Sequence, residues 1–423
     1  MSIINPLTQD GAYENAFLSV GTSRDRTSAT KAAAPTILDP ISLGNLYTAD
    51  GYAAKIVDIP AAEMVRAGYR IEGVDDERAV EAETEGLKLL PKMADALRWS
   101  YLFGGALVVM LIDDGGKLTD PLREDRIKVI DQLRVYDRWH ATRLKRYEDP
   151  ADNRYGEIEV YQISPANGAP YTVHESRCIR IDGLPVPDDM REYNDGWGGS
   201  VVNRCYSELV RQGLAQGLAN SLLERAQQGV HGIPGLSDLL RQSGGPAMVA
   251  KRVEIVDMVR SVNNTVVIDA AETYELKSTP LSGVADILDR VGLALAAVSR
   301  IPESLLHGRQ QAGMNSTGAS DLEQWYARIG QEQETRLLPA IDRIVSLILK
   351  MQGQYTDDYL IKFLPLWVPS DKEQAEADKI KADTRATYNS MGALDPSEVR
   401  AMLKDEGYKI DDIDLEYGEE ETV

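Results

Sequence analysis

Cysteine is scarce in this chain. Cys178 and Cys205 are too few for a disulfide framework, so each is expected as a small buried hydrophobe in a reducing compartment. Long apolar runs are missing as well: the longest, residues 106–112, is about a third of the ~20 residues a membrane helix needs, and no membrane span is expected. The opening MSIINPLTQDG has neither the basic segment nor the apolar stretch of a signal peptide, so no export is expected. Basic charge is outnumbered, with 46 Lys and Arg against 67 Asp and Glu giving a net charge of −21. A protein that grips nucleic acid neutralises phosphates with clustered Lys and Arg, so tight DNA binding is not expected. The one dense basic cluster, Arg138, His140, Arg143, Lys145 and Arg146, has Asp137, Glu148 and Asp149 beside it and reads as a solvated face.

Catalytic signatures are also wanting. Gly116-Lys117 is followed by Leu118, so no phosphate-cradling loop is present to drive a motor. The four histidines, at 140, 174, 231 and 307, fall in separate segments. His174-Glu175 meets Cys178, not a second His, at the next ligand position, in a stretch that reads as strand. Asp411, Asp412 and Asp414 lack the glycine turn and the terminal Glu of a calcium loop and read as a solvated acidic tail. No catalytic residue, metal or cofactor is expected.

What is present suggests an α+β chain, with length for two or three lobes. Residues 1–45, rich in Ser, Thr, Ala and Asp, read as a flexible arm. Core-facing helices are expected over 52–67, around Pro60, and over 88–103; Gly104-Gly105 breaks the pattern before a buried strand at 106–112. Further strands are expected at 127–136, 156–163 and 171–181. After NDGWGG, Ser200 is placed to cap a long helix to about 228, with its apolar stripe at Val201, Val202, Cys205, Leu209, Leu214, Leu218 and Leu222. Gly213 and Gly217 thin one side of it, either by accident or to admit a close neighbour. Residues 229–280 read as a small module with short helices and a hairpin of 265–269 with 273–277. A second helix returns over about 281–300, closed by Pro302. Residues 305–318 form a polar loop with a single charge, Arg309; loops this long tend to carry function, the alternative being a tether. A helix from 319 to about 350 contains Pro339, which should bend it. A strand at 360–363, a polar helix to about 390 and one further helix from 395 precede the acidic tail.

Four segments together resemble the portal proteins of tailed phages and prophages: AAKIVDIPAAEMVRAGYRIEG (53–73), VHESRCIRIDGLPVP (173–187), DGWGGSVVNRCYSEL (195–209) and the block 281–339. The last is the most specific, running from a helix through Ile-Pro, a short apolar turn and a Gly- and Asn-bearing loop into a Gln- and Glu-containing helix. The resemblance covers about residues 40–410. It implies the long-stem portal plan: wing (46–199), stem helix (200–228), clip (229–280), returning stem helix (281–301), tunnel loop (302–318), kinked wing helix and strand (319–369), and crown (370–411), followed by the tail 412–423.

The same resemblance implies a ring, a dodecamer, at one capsid vertex of the virion, assembled in the host cytoplasm. The ring passes double-stranded DNA during packaging and ejection and meets the terminase large subunit, a head-tail adaptor and the major capsid protein. The tunnel loop would face DNA with Arg309, Gln310, Gln311, Asn315, Ser316 and Thr317, hinged at Gly308, Gly313 and Gly318. An acidic balance suits a channel that must surround phosphates without holding them. On the stem helices Glu208, Glu224, Asp286 and Asp289 supply negative charge, and Arg211 and Arg290 are available for salt bridges between neighbours. The rival readings are a phage-associated metal-dependent nuclease or hydrolase, and a monomeric scaffold or adaptor.

Overall fold

In the computed structural model the described residues are 37–224, 227–263, 271, 273–278, 281–308, 317–367 and 371–391. The chain divides into two compact units, Met1–Leu364 and Pro365–Val423.

The first unit begins with α1 (Pro40–Ala49), earlier than the arm expected over 1–45, because Asp39 caps it by accepting from the N–H groups of Ile41 and Ser42. Asp50 repeats the device for α2 (Gly51–Arg66). The α2 face Ala53, Ile56, Val57, Pro60, Ala61 and Met64 is buried at helical spacing, so Pro60 costs a backbone hydrogen bond but sits on the packed side. Next come β1 (Tyr69–Glu72), α3 (Glu77–Gly86), which the sequence reading missed, and α4 (Leu89–Phe103). Gly104 closes α4 at φ +90°, a left-handed conformation that favours glycine.

Strand β2 (Gly105–Asp113) is buried on both faces from Ala106 to Met110, with α4 packed against it and Leu107 and Val109 turned into a second core cluster. Its neighbours are β3 (Val129–Asp137) and, after three intervening strands, β7 (Cys178–Asp182), both antiparallel to it. A second sheet holds β4 (Ala141–Arg146), β5 (Ile158–Ile163) and β6 (Tyr171–His174) in that order. The single strand expected over 171–181 is thus two strands in two sheets, split by a 3-10 turn at Glu175–Arg177. The basic cluster includes a strand, β4, on which two basic side chains are paired: Arg143 with Asp195 and Lys145 with Glu159. Leu107 and Val109 from one sheet and Tyr161, Ile163 and Val173 from the other close on Trp197 to form a core cluster. Each such side chain contributes roughly 1.5–3 kcal/mol by leaving water.

After α5 (Asp188–Tyr193), Ser200 Oγ accepts from the Asn203 N–H at the start of the long helix α6 (Val201–Glu224). There follow β8 (Gln227–Gly232), α7 (Leu236–Arg241), α8 (Gly245–Asn263) and β9 (Thr273–Ser278). Beyond the hairpin expected between 265–269 and 273–277, β9 has a long-range partner: it lies antiparallel to β8, from Gln227 opposite Ser278 to Gly232 opposite Thr273. Residues 265–269 lie outside the described residues. The return helix α9 (Val284–Ser299) leads through Pro302 to α10 (Glu303–His307), so residues 305–307 of the expected loop are helical. Then α11 (Thr317–Glu332) reaches α12 (Leu338–Gln352) through a π-helical turn, Gln333–Leu337. The irregularity expected at Pro339 falls just before it: proline has no N–H for the preceding turn and its ring crowds that carbonyl, and a widened turn relieves both. Strand β10 (Leu360–Phe363) pairs with β1 and completes this unit. In the second unit α13 (Asp371–Ser390) is the described helix. Among the described residues no helix is long and apolar enough to cross a membrane.

Candidate functional site

Helix α6 has 24 residues, so it extends about 36 Å at 1.5 Å per residue. Its first turns are buried at Val202, Cys205 and Leu209, and the buried face continues at Gln212 and Ala219. The second half of the expected apolar stripe turns elsewhere. Leu214, Leu218 and Leu222 are 38%, 46% and 44% exposed, with Val210 above them on the same i, i+4 row. The reason is geometric: α9 packs along α6 and leaves this row uncovered, while Leu295 and Ala296 are buried on α9 itself. On α9 the expected stripe is likewise split, with Leu295 buried and Ile287 exposed. A Cβ added at Gly213 or Gly217 would meet nothing within 4 Å, so neither glycine serves a close approach inside the subunit.

Beyond α9 the chain turns at Arg300, φ +58°, and buries Ile301. Lys55 on α2 donates to the Leu306 carbonyl at 2.7 Å, anchoring α10. On the far side of 309–316, Arg328 of α11 donates to the Arg300 carbonyl at 2.7 Å and pairs with Glu332 at 2.9 Å. Glu332 also accepts from the Tyr101 hydroxyl, and Arg336 reaches Ser100 Oγ and the Asp182 carbonyl at 2.8 and 2.7 Å. Burial pushes the Tyr101 phenol up; the Glu332 carboxyl, which burial also raises, is held below its usual range by that phenol and by Arg328 and Arg336. The two helices bordering 309–316 are therefore tied to the body of the unit on both sides.

A family model described as phage portal protein matches residues 41–387. The chain belongs to the phage portal protein family. It is 29% identical over 390 residues to the anti-CBASS protein Acb1 of Caulobacter sp. (strain RHG1), covering 88% of this chain but 62% of that protein, so this chain spans less than two thirds of its relative. A protein of Haemophilus influenzae is 26% identical over 400 residues, 92% of this chain and 88% of its own. In fold the chain is similar to a chain from the neck of an empty GTA particle computed with C6 symmetry, with a TM-score of 0.53 at 14% identity, covering 89% of this chain and 97% of that one. The mixed α+β architecture is that of portal proteins.

Within this portal-family fold, the residues singled out from sequence fall in different places. Arg309, Gln310, Gln311, Gly313, Asn315 and Ser316 lie outside the described residues; Thr317 and Gly318 begin α11, and Gly308 takes φ +68° after α10. Glu208 and Arg211 are brought together, but within one helix: their side chains pair at 2.6 Å, three residues apart. Asp286, Asp289 and Arg290 are exposed on α9, while Glu224 ends α6. His174 and Glu175 form no site, because His174 Nδ1 turns to Ser176 Oγ at 2.9 Å. Burial lowers the His174 imidazole and raises the Cys178 thiol, and the raised thiol opposes the thiolate that a metal would need. Among the described residues no group of three His, Cys, Asp or Glu is placed to hold a metal.

A cleft of about 680 Å³ between β7 and α12 is lined by Arg180, Arg191, Arg336 and Arg343 with Glu175 and Asp182. Three of its arginines are committed to this chain's own carboxylates: Arg180 to Asp182 at 2.8 Å, Arg336 to Glu332 at 3.4 Å and Arg343 to Glu124 at 2.6 Å. The sequence reading did not find this network. Its partners lie up to 219 residues apart in the chain, and no local spacing signals them.

Proposed function

We propose that this chain assembles into a ring of identical subunits, a dodecamer, at one vertex of a phage capsid, through which double-stranded DNA is packaged and ejected and to which the tail is joined. The observation that carries this reading is the apolar row Val210, Leu214, Leu218 and Leu222, which the subunit's own return helix leaves at the surface. A soluble monomer gains nothing by exposing such a row, and side-by-side repetition of the α6–α9 pair covers it.

In this assignment α6 and α9 are the stem, residues 229–280 with β8 the clip, 309–316 the core of the tunnel loop, and 370–411 the crown. The DNA-facing groups are Arg309, Gln310, Gln311, Asn315, Ser316 and Thr317, whose amides and hydroxyls make exchangeable contacts to any phosphate. Glu208, Glu224, Asp286 and Asp289 keep the wall acidic, with Arg211 and Arg290 balancing it. The role is structural and non-catalytic, and the proposed partners are the terminase large subunit, a head-tail adaptor and the major capsid protein. The portal reading is preferred to a role like that in the name of the Caulobacter relative, because the family model spans 41–387 of this chain whereas that relative extends well beyond the shared part.

Negative-stain imaging of the purified protein tests the ring, and end-on annular particles are expected. Deleting 309–317 should leave the annuli intact while DNA packaging or retention falls. Protein that stays monomeric under every assembly condition, or a deletion that packages and retains DNA normally, would refute the assignment.

A further inference from the structure

The chain enters 309–316 through His307, the last residue of α10, whose half-buried ring lies between α2 and α9. Its Nε2 is 3.2 Å from the Gly292 carbonyl oxygen on α9, and its Nδ1 is 3.3 Å from the Tyr52 hydroxyl on α2. A carbonyl oxygen only accepts, so Nε2 carries the proton. In the neutral imidazole Nδ1 then accepts from the Tyr52 O–H. The Tyr52 ring also meets the imidazole edge-on, with centroids 5.2 Å apart. One turn further along α2, Lys55 holds the Leu306 carbonyl. The two residues before Gly308 are therefore bonded to two separate helices.

Position 292 is matched to this ring. A Cβ built there would lie 3.1 Å from His307 Nε2 and 3.2 Å from Cε1, and its three nearest atoms all belong to His307. The imidazole occupies the space that a side chain on α9 would take, and it reaches a mid-helix carbonyl because none is there.

We propose that His307 is a positioning residue: it ties α10 to α2 and α9 and so fixes where 309–316 leaves the body of the subunit, with Gly292 as its seat. The tie stands on the geometry above, and its consequence for DNA rests on the portal reading. A loop held at its root has fewer arrangements to lose when its tip meets the duplex, whereas a released root must be ordered each time.

The test uses the full-length protein as wild type, H307A, H307Q, G292A and the double variant G292A/H307A. Trypsin cleavage after Arg309 is timed against cleavage elsewhere in the same chain. H307A should raise the Arg309 rate by about ten-fold, the scale of losing one or two neutral hydrogen bonds. H307Q, whose amide N–H can still donate to the Gly292 carbonyl, should restore most of the protection. G292A should match H307A alone yet add nothing in the H307A background, because its methyl then has no ring to displace. Wild-type cleavage in H307A, or fully additive effects in the double variant, would overturn the tie. In filled particles, H307A should lose DNA retention while still forming annuli. Unchanged retention despite faster cleavage would overturn the positioning role, whereas wild-type protein that forms no annuli would sink the portal reading and leave the cleavage comparison to judge the tie.

Discussion

Arg177 and Asp114 form an ion pair from which solvent is wholly excluded: Nη2 lies 2.6 Å from Oδ2, and each side chain is 0% exposed. Asp114 also accepts from the N–H groups of Gly116 and Arg123, both at 2.9 Å, and Arg177 donates to the Asp120 carbonyl at 2.9 Å. The pair thereby ties the loop after β2 to the turn before β7, across 63 residues of chain.

Removing one partner should be costly because the other remains buried and charged. Asp114→Ala is expected to destabilise by ~3–5 kcal/mol. Burial pushes the Asp114 carboxyl up, but the Arg123 and Gly116 N–H groups and the Arg177 guanidinium outweigh it and hold it at about 2, against an ordinary 3.8. A lowered folded-state value means that the stabilisation is complete above 3.8 and is lost as the pH falls toward about 2. Thermal melts of wild type and Asp114→Ala should therefore differ most at neutral pH and converge in that acid window. A constant difference down to the lower limit would show that the pair is not the source.

Gly105→Ala should disturb the sheet interface rather than the strand itself. A Cβ there would lie 2.2 Å from Trp197 Cε3, and Trp197 is 2% exposed with Arg180 stacked 4.2 Å over its ring. Overpacking of this kind costs ~1–3 kcal/mol. Near-ultraviolet circular dichroism should show an altered Trp environment with a lowered melting temperature, while Gly213→Ala, open to space, should show neither.

The exposed row on α6 predicts a clean split between folding and assembly. Replacing Leu214 and Leu218 by Asp puts charge on a row that the subunit leaves 38% and 46% exposed, so the monomer should keep most of its melting temperature. Light scattering should then report a particle near 46.7 kDa in place of a ring. A ring that still forms would show that the row lies outside the contact.

Gly217→Ala separates the two readings of the thin side of α6. Within the subunit the methyl meets nothing and helix propensity improves by up to ~1 kcal/mol. If a neighbouring backbone approaches here, the same change should raise monomer stability and weaken the ring. Rings unchanged in stability would mark the glycine as incidental.

Much of the local architecture was legible in the chain. The run 106–112 is a buried strand because seven consecutive apolar residues fit a strand with neighbours on both sides and cover on both faces. The helices 201–224 and 284–299 were legible from their 3.6-residue periodicity and from Ser200 and Pro302 at their ends. Periodicity failed at Leu214, Leu218 and Leu222: it marks a face as apolar without saying whether the same chain covers it. The tie at His307 was not legible either, since Tyr52 and Gly292 lie 255 and 15 residues away and neither spacing has a local meaning.

Local propensity, capping and hydrophobic rhythm are properties of neighbouring residues, so they set where helices and strands form, and the charge balance sets how the chain meets phosphate. Pairing β8 with β9, burying Arg177 against Asp114 and seating an imidazole over Gly292 depend on distances between remote segments. Those distances come into being when the whole core packs, because burial and hydrogen-bond satisfaction are judged over the complete fold and not residue by residue.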